Sequence, residues 1–266
     1  MKRRQDIPPA LRDRWIEQWT REWNSGAYQP FLRTEDVPSR GNCRRVLGAT
    51  TNRVHHCMSF NEALALAMLD HDAETVAIYE QYALLPVGLT TAIARELRVK
   101  YPVYPGCHAS RIVMTTDFVV DRRDGTRKAY SVKPKEKLLQ PRVRELLTVE
   151  AGYWRLAGVE LVHLTDEYLR CSRYENLLGL QQAAVLSSYL VTVESRWLQA
   201  FREALTPSAP VSQCIRQAAE RLGLHYREGT ELFFHGLWRG AIHADLDQPL
   251  RLEQSVSELE VRVLVC

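Results

Sequence analysis

The sequence predicts an α/β domain with a mixed sheet over residues 1–168, and over 169–266 an all-helical module with a winged-helix-like end. Three observations predict it. Apolar positions switch repeatedly between helical and strand periodicity as far as Leu164. The turn signal Arg123-Asp124-Gly125 joins two strand-like runs, and the apolar run Val159–Leu164 reads as a strand buried on both faces of a sheet. From Tyr168 the composition shifts to Leu, Gln and Ala with helical spacing. At 266 residues, 45% of them hydrophobic, the chain can bury a sizeable core without disulfide staples.

Leu11–Trp23 reads as a helix whose Trp15, Trp19 and Trp23 recur every four residues on one face, suited to docking on the domain body or a partner, or to base stacking. Tyr28–Asn42, rich in Pro, Gly and Ser, reads as a loop leading to the strand-like segments Arg44–Leu47 and Arg53–Met58. Ser59-Phe60-Asn61-Glu62 has the form of a capping box and opens a helix through Ala63–Leu69. Thr75–Tyr82 has strand character, Thr90–Arg98 is helical, and Ile112–Asp121 alternates. That alternation places Met114, Thr116, Phe118 and Val120 on one face, and Thr115, Asp117 and Val119 on the other. Arg127–Val132 returns as the second strand of a hairpin, so that Asp117 and Ser131 become near neighbours with Lys133 one pleat further. A helix from Pro141 to Ala157 precedes the buried strand. In the tail, helix from Tyr168 to Leu205, a Thr206–Pro210 break and helices at Ser212–Leu222 and Thr230–Trp238 precede a hairpin. Its strands Ala241–Leu246 and Leu250–Leu252 flank the turn Asp247-Gln248-Pro249.

Composition excludes several classes. No stretch approaches the ~18 apolar residues of a membrane span, and the start, Met1-Lys2-Arg3-Arg4-Gln5-Asp6, lacks an apolar signal core, so the protein is expected to stay in the compartment where it is made. Six widely scattered cysteines (Cys43, Cys57, Cys107, Cys171, Cys214, Cys266) with no C-x-x-C pair read as reduced thiols. Residues 1–168 carry 25 Lys+Arg against 21 Asp+Glu, and 169–266 carry 10 against 11 with no lysine. Arg40, Arg44, Arg45 and Arg53, followed by His55 and His56, form a basic stretch suited to a polyanion. Successive strand residues point oppositely, so His55 and His56 rarely share a metal; a core or phosphate-facing role suits them better. Phosphate-loop, dinucleotide, serine-hydrolase and zincin motifs are absent.

What remains is an acid on a helix (Glu62), an acid on the first hairpin strand (Asp117) and a lysine after the second (Lys133). Phosphodiester hydrolysis uses those pieces: carboxylates hold divalent ions, and an ammonium orients or activates the attacking water. The same residues also admit a non-catalytic reading, with Glu62 capping its helix and Asp117–Lys133 a structural ion pair.

Five strings in order cover about residues 30–168: Arg53 to Glu62, Glu80-Gln81-Tyr82-Ala83-Leu84-Leu85-Pro86, Thr115 to Asp121, Val132-Lys133-Pro134 and Glu150-Ala151-Gly152-Tyr153-Trp154. Together they resemble the TnsA endonuclease family of heteromeric Tn7-like transposons. The resemblance implies a type-two restriction-endonuclease-like core, with Glu62, Asp117 and Lys133 catalytic. It also implies Mg²⁺, with Mn²⁺ as substitute, held by Glu62, Asp117 and the Val132 carbonyl. The usual nuclease motif has an acid two residues before the lysine; here Ser131 stands there, leaving its hydroxyl as a weaker candidate ligand and Glu150 as a candidate support. By the same resemblance the activity is cleavage at the 5′ ends of the element in a prokaryotic cytoplasm. A separate transposase, TnsB, processes the 3′ ends, and an AAA+ ATPase, TnsC, docks on the C-terminal domain. Arg44, Arg45, Arg53, His55 and His56 are the expected contacts to double-stranded DNA. A stand-alone restriction or repair nuclease on the same core, and a non-catalytic DNA-binding assembly factor, are the alternatives.

Overall fold

The computed structural model of the chain describes residues 7–36 and 42–264; Arg40, Cys266 and the opening Met1–Asp6 of the sequence reading lie outside them. The chain divides into two compact units, Met1–Leu169 and Arg170–Cys266. No helix among the described residues is long and apolar enough to cross a membrane.

The first unit opens with α1 (Pro9–Asn24), a β-ribbon of β1 (Arg44–Leu47) and β2 (Val54–Cys57), and α2 (Phe60–His71). β3 (Thr75–Ala83), α3 (Val87–Glu96) and a small hairpin of β4 (Val103–Tyr104) and β5 (Cys107–Arg111) follow. The unit closes with β6 (Thr115–Arg122), β7 (Arg127–Val132), α4 (Lys135–Leu138), α5 (Pro141–Leu156), β8 (Glu160–Leu164) and α6 (Asp166–Leu169). Four strands make one mixed sheet in the order β3-β6-β7-β8, antiparallel except for the parallel pair β7/β8. The parallel pairing is possible because α5 provides the crossover between β7 and β8.

Helix α2 is the core helix of this unit. Ala63 to Ala67 are wholly enclosed, as its apolar run requires. The tryptophan stripe of α1 docks on the protein's own sheet: Trp19 meets Tyr82, and Trp23 meets both Tyr79 and Tyr82, with ring centroids 5.0–5.3 Å apart in edge contacts.

Tyr79 and Tyr82 are three residues apart, and strict alternation would put them on opposite faces. Gln81 between them has φ +49°, the left-handed region, which shifts the side-chain parity of the strand. On β6 the expected alternation is also broken. Thr116 accepts a hydrogen bond from Trp154 Nε1 at 2.7 Å, and Val119 packs in the same cluster as Trp154, so these two share the α5 face that alternation would have divided between them.

The second unit comprises α7 (Ser172–Leu180), a 3₁₀ turn at Gln181–Ala183, α8 (Ser188–Ala204), α9 (Val211–Arg221), α10 (Tyr226–Trp238) and a ribbon of β9 (Ile242–His243) with β10 (Arg262–Val263). At its centre Trp197 stacks on Phe201, which meets Phe233 edge-on, and all three are enclosed. The expected hairpin across Asp247-Gln248-Pro249 does not form; β9 pairs with the distant β10 instead. The cause is Asn176 on α7, whose amide donates to the carbonyls of Leu246 and Gln248 and accepts from Leu250 N–H, satisfying the backbone groups a second strand would have used.

Candidate active site

Glu62 sits at the third position of α2 because Ser59 caps that helix. Glu62 N–H donates to Ser59 Oγ at 3.1 Å, and the carboxylate accepts from Ser59 Oγ and from Met58 N–H, both at 2.9 Å. The reciprocal backbone donor is thus Met58, one residue before the cap. Capping does not exhaust the residue: Gln81 Nε2 also donates to it at 3.4 Å, and it lies within electrostatic reach of Asp117 and Lys133.

Asp117 is buried on β6, and the hairpin register from Asp121↔Arg127 to Phe118↔Tyr130 carries it beside the end of β7. There its Oδ2 accepts from Val132 N–H and from Lys133 Nζ, each at 2.6 Å. Both hydrogen bonds fall on one oxygen, leaving Oδ1 open. Lys133 Nζ also donates to the Val132 carbonyl at 3.1 Å, and its side chain is about one-third exposed (35%), so the ammonium faces the protein on one side and solvent on the other.

Behind this pair lies Glu150 of α5, 5% exposed. Its two oxygens accept from Thr116 Oγ1 at 2.7 Å and from Ser131 Oγ at 3.3 Å. Ser131 therefore turns towards Glu150, and the buried carboxylate beside it comes from the neighbouring helix.

Three carboxylates against one ammonium leave this cluster short of positive charge. Burial, then the charge of Asp117, pushes Glu62 up to about 7; the same two causes push Glu150 up to about 7. Burial alone would lower the pKa of Lys133, yet Asp117, Glu150 and Glu62 raise it above its ordinary value. These carboxylates thus favour the ammonium form of the lysine.

Among the described residues no group of three or more His, Cys, Asp or Glu side chains is placed as a metal cage. The donor set still fits a hard divalent cation. Glu62, the open oxygen of Asp117 and the Val132 carbonyl are all oxygen donors, and a dication would offset the Asp117 charge that, after burial, raises Glu62. Ser131, engaged by Glu150, is a poor ligand.

The basic stretch is placed differently from expectation. Arg53 holds both oxygens of Glu80 and donates to the Ile78 carbonyl at 2.8 Å. His55 is fully enclosed, with Nδ1 2.8 Å from Glu80 and Nε2 2.7 Å from Thr51. Burial would raise Glu80, but hydrogen bonds and charge from His55 and Arg53 hold it at about 2. These two residues lock the ribbon onto β3: His55 is wholly enclosed, and Arg53 keeps 22% of its side chain exposed. His56 is half-buried beside Thr34. Arg44 and Arg45 are exposed; Arg44 covers the Phe60 ring and Arg45 pairs with Glu35.

Sequence reasoning passed over three residues at the site. Trp154 fixes Thr116, Gln81 reaches Glu62, and the exposed His163 of β8 lies in register with Ser131. Desolvation by neighbouring groups, then the Lys133 charge, lowers the pKa of His163 even though its side chain keeps contact with solvent. Only the folded β7/β8 pairing reveals His163, and nothing in the sequence marks a left-handed glutamine inside a strand at Gln81.

Comparison with known proteins gives two matches. Residues 72–166 match the family model described as TnsA-like endonuclease N terminal. The transposon Tn7 transposition protein TnsA of Escherichia coli is 34% identical over 152 residues, 56% of this chain and 54% of that protein. The chain thus spans about half the length of this curated relative. The family match begins after Glu62 and covers Asp117, Lys133 and Glu150.

Proposed function

We propose that this chain, whose residues 72–166 match the family model of the TnsA-like endonuclease N terminal, is a metal-dependent DNA endonuclease of a Tn7-like transposition system, cutting at the 5′ ends of the element. The observation that carries this reading is the meeting of Asp117, Lys133, Glu62 and Glu150 from four separate elements, with Lys133 Nζ and Val132 N–H on one Asp117 oxygen.

In this reading Glu62, Asp117 and the Val132 carbonyl hold Mg²⁺ or Mn²⁺, which when bound supplies a Lewis acid for the scissile phosphate and lowers the pKa of an attacking water. Lys133, fixed as an ammonium, donates to a non-bridging phosphate oxygen and offsets the charge that grows there in the transition state. Val132 N–H and Lys133 together aim Asp117 so that Oδ1 faces outwards. Glu150, tied to Thr116 and Ser131, holds the ends of β6 and β7 at a fixed separation. Arg44 and Arg45 on the exposed ribbon are the proposed contacts to the DNA backbone, whose phosphates such arginines neutralise.

Residues 170–266 suit a protein partner better than a DNA grip. They hold no lysine, and Val185, Tyr189 and Val191 present apolar surface around the start of α8. A TnsC-type ATPase is the proposed partner there, with a winged-helix-like role for α9, α10 and the β9/β10 ribbon, and a TnsB-type transposase cutting the 3′ ends. The proposed setting is a prokaryotic cytoplasm.

The test is a reconstituted excision reaction on DNA bearing transposon ends. Asp117→Asn and Lys133→Ala should abolish 5′ cutting while the partner transposase still cuts the 3′ ends. Normal 5′ cutting by both folded variants would refute the assignment. Robust unaided cutting of plain duplex by the wild-type chain would point to a stand-alone nuclease.

A further inference from the structure

Four non-glycine residues among those described have positive φ: Asn52, Gln81, Arg98 and Glu260. Gln81 alone lies inside a strand; the others occupy loops or turns. The left-handed conformation is disfavoured for any residue with a Cβ, and it persists where the surroundings over-determine it. Here they do. The Gln81 carbonyl accepts from Phe31 N–H at 3.2 Å, and its Oε1 accepts from Thr115 Oγ1 at 3.0 Å. With Oε1 so engaged, Nε2 is the end of the amide that remains, and it meets Glu62 Oε2 at 3.4 Å in a place where Gln81 is 4% exposed. An ordinary strand conformation would send this side chain to the Tyr79 face, away from Glu62.

We infer that Gln81 is a positioning residue of the metal site: its left-handed backbone and the Thr115 hydroxyl aim one amide N–H at Glu62 and fix that carboxylate for cation binding. The arrangement also ties the segment around Phe31 to the site, because the same backbone unit that turns the side chain accepts the Phe31 hydrogen bond. The inference rests on the metal-nuclease reading above.

The test uses the full chain and Mn²⁺ alone as probe, with binding read by electron paramagnetic resonance of the free ion and folding by circular dichroism. Groups that orient metal ligands typically change metal affinity by about 10–100-fold when removed. Gln81→Met, which keeps length and loses the amide, should weaken Mn²⁺ binding roughly tenfold, and Thr115→Val, which only releases the amide, roughly threefold. In the cleavage reaction both should need more metal for half-maximal rate and recover at saturating metal, a split that a purely structural defect would not show. Unchanged Mn²⁺ affinity in both variants overturns the inference; if Gln81→Met does not fold, Thr115→Val decides alone. Asp117→Asn separates the two levels. If it abolishes Mn²⁺ binding while Gln81→Met and Thr115→Val do not weaken it, only the role of Gln81 falls. If Asp117→Asn itself binds Mn²⁺ normally, the metal reading falls and this inference with it.

Discussion

Replacing Glu150 by glutamine removes a buried charge without emptying the space it fills. In the metal-free protein this carboxyl is raised from an ordinary 4.5 to about 7. At 1.36 kcal/mol per unit, the ionised form costs the fold about 3 kcal/mol at most. The sign follows from proton counting: between pH 4.5 and 7 the folded chain keeps a proton that the unfolded chain has released, so stability falls across that window and levels off above it. Glutamine abolishes this dependence. It also weakens the hydrogen bonds from Thr116 and Ser131, a loss of about 1 kcal/mol. Glu150→Gln should therefore stabilise the metal-free protein by about 2 kcal/mol at pH 8 and destabilise it slightly at pH 5. The assay is urea unfolding in EDTA at both pH values, followed by tryptophan fluorescence. Equal differences from wild type at pH 5 and pH 8 would refute the claim that Glu150 is a strained carboxylate.

Other outcomes follow from the same contacts. Lys133→Gln should fold normally and cut at a rate lower by at least 10²-fold, measured in single-turnover reactions, since a neutral amide cannot offset phosphate charge. Arg53→Ala leaves Glu80 buried without its bidentate partner and should cost about 3–5 kcal/mol in urea unfolding, a far larger loss than any surface arginine gives. Gly48→Ala would bring a methyl group within 2.6 Å of the enclosed His55 ring and should lower the melting temperature measurably by differential scanning fluorimetry.

The β6/β7 hairpin was legible because its signals are local, whereas β8, whose apolar run predicts burial on both faces, is an edge strand with Glu160 and His163 exposed. The Asp124-Gly125 turn sets the β6/β7 register, and that register puts Lys133 beside Asp117. Glu62 was legible through its capping box. The roles of Arg53 and His55 were not, because their acceptor, Glu80, lies 27 and 25 residues further along and only folding reveals it as a buried anion. A row of arginines looks the same in sequence whether it faces a phosphate or an internal carboxylate. The face of Gln81 escaped for a related reason: a single left-handed residue shifts strand parity, and no periodicity predicts a glutamine there. In the tail, Asn176 acts as a surrogate strand for the segment after Leu246, a long-range hydrogen-bonding role invisible to any hairpin rule.

The central claim is that Glu62 and Asp117 share a divalent cation beside Lys133. Anomalous diffraction from crystals soaked in Mn²⁺ tests it most directly. The account predicts one strong peak within coordination distance of both carboxylates and the Val132 carbonyl, absent from Asp117→Asn crystals; manganese bound elsewhere in a cutting-competent protein, with that position empty, would contradict it.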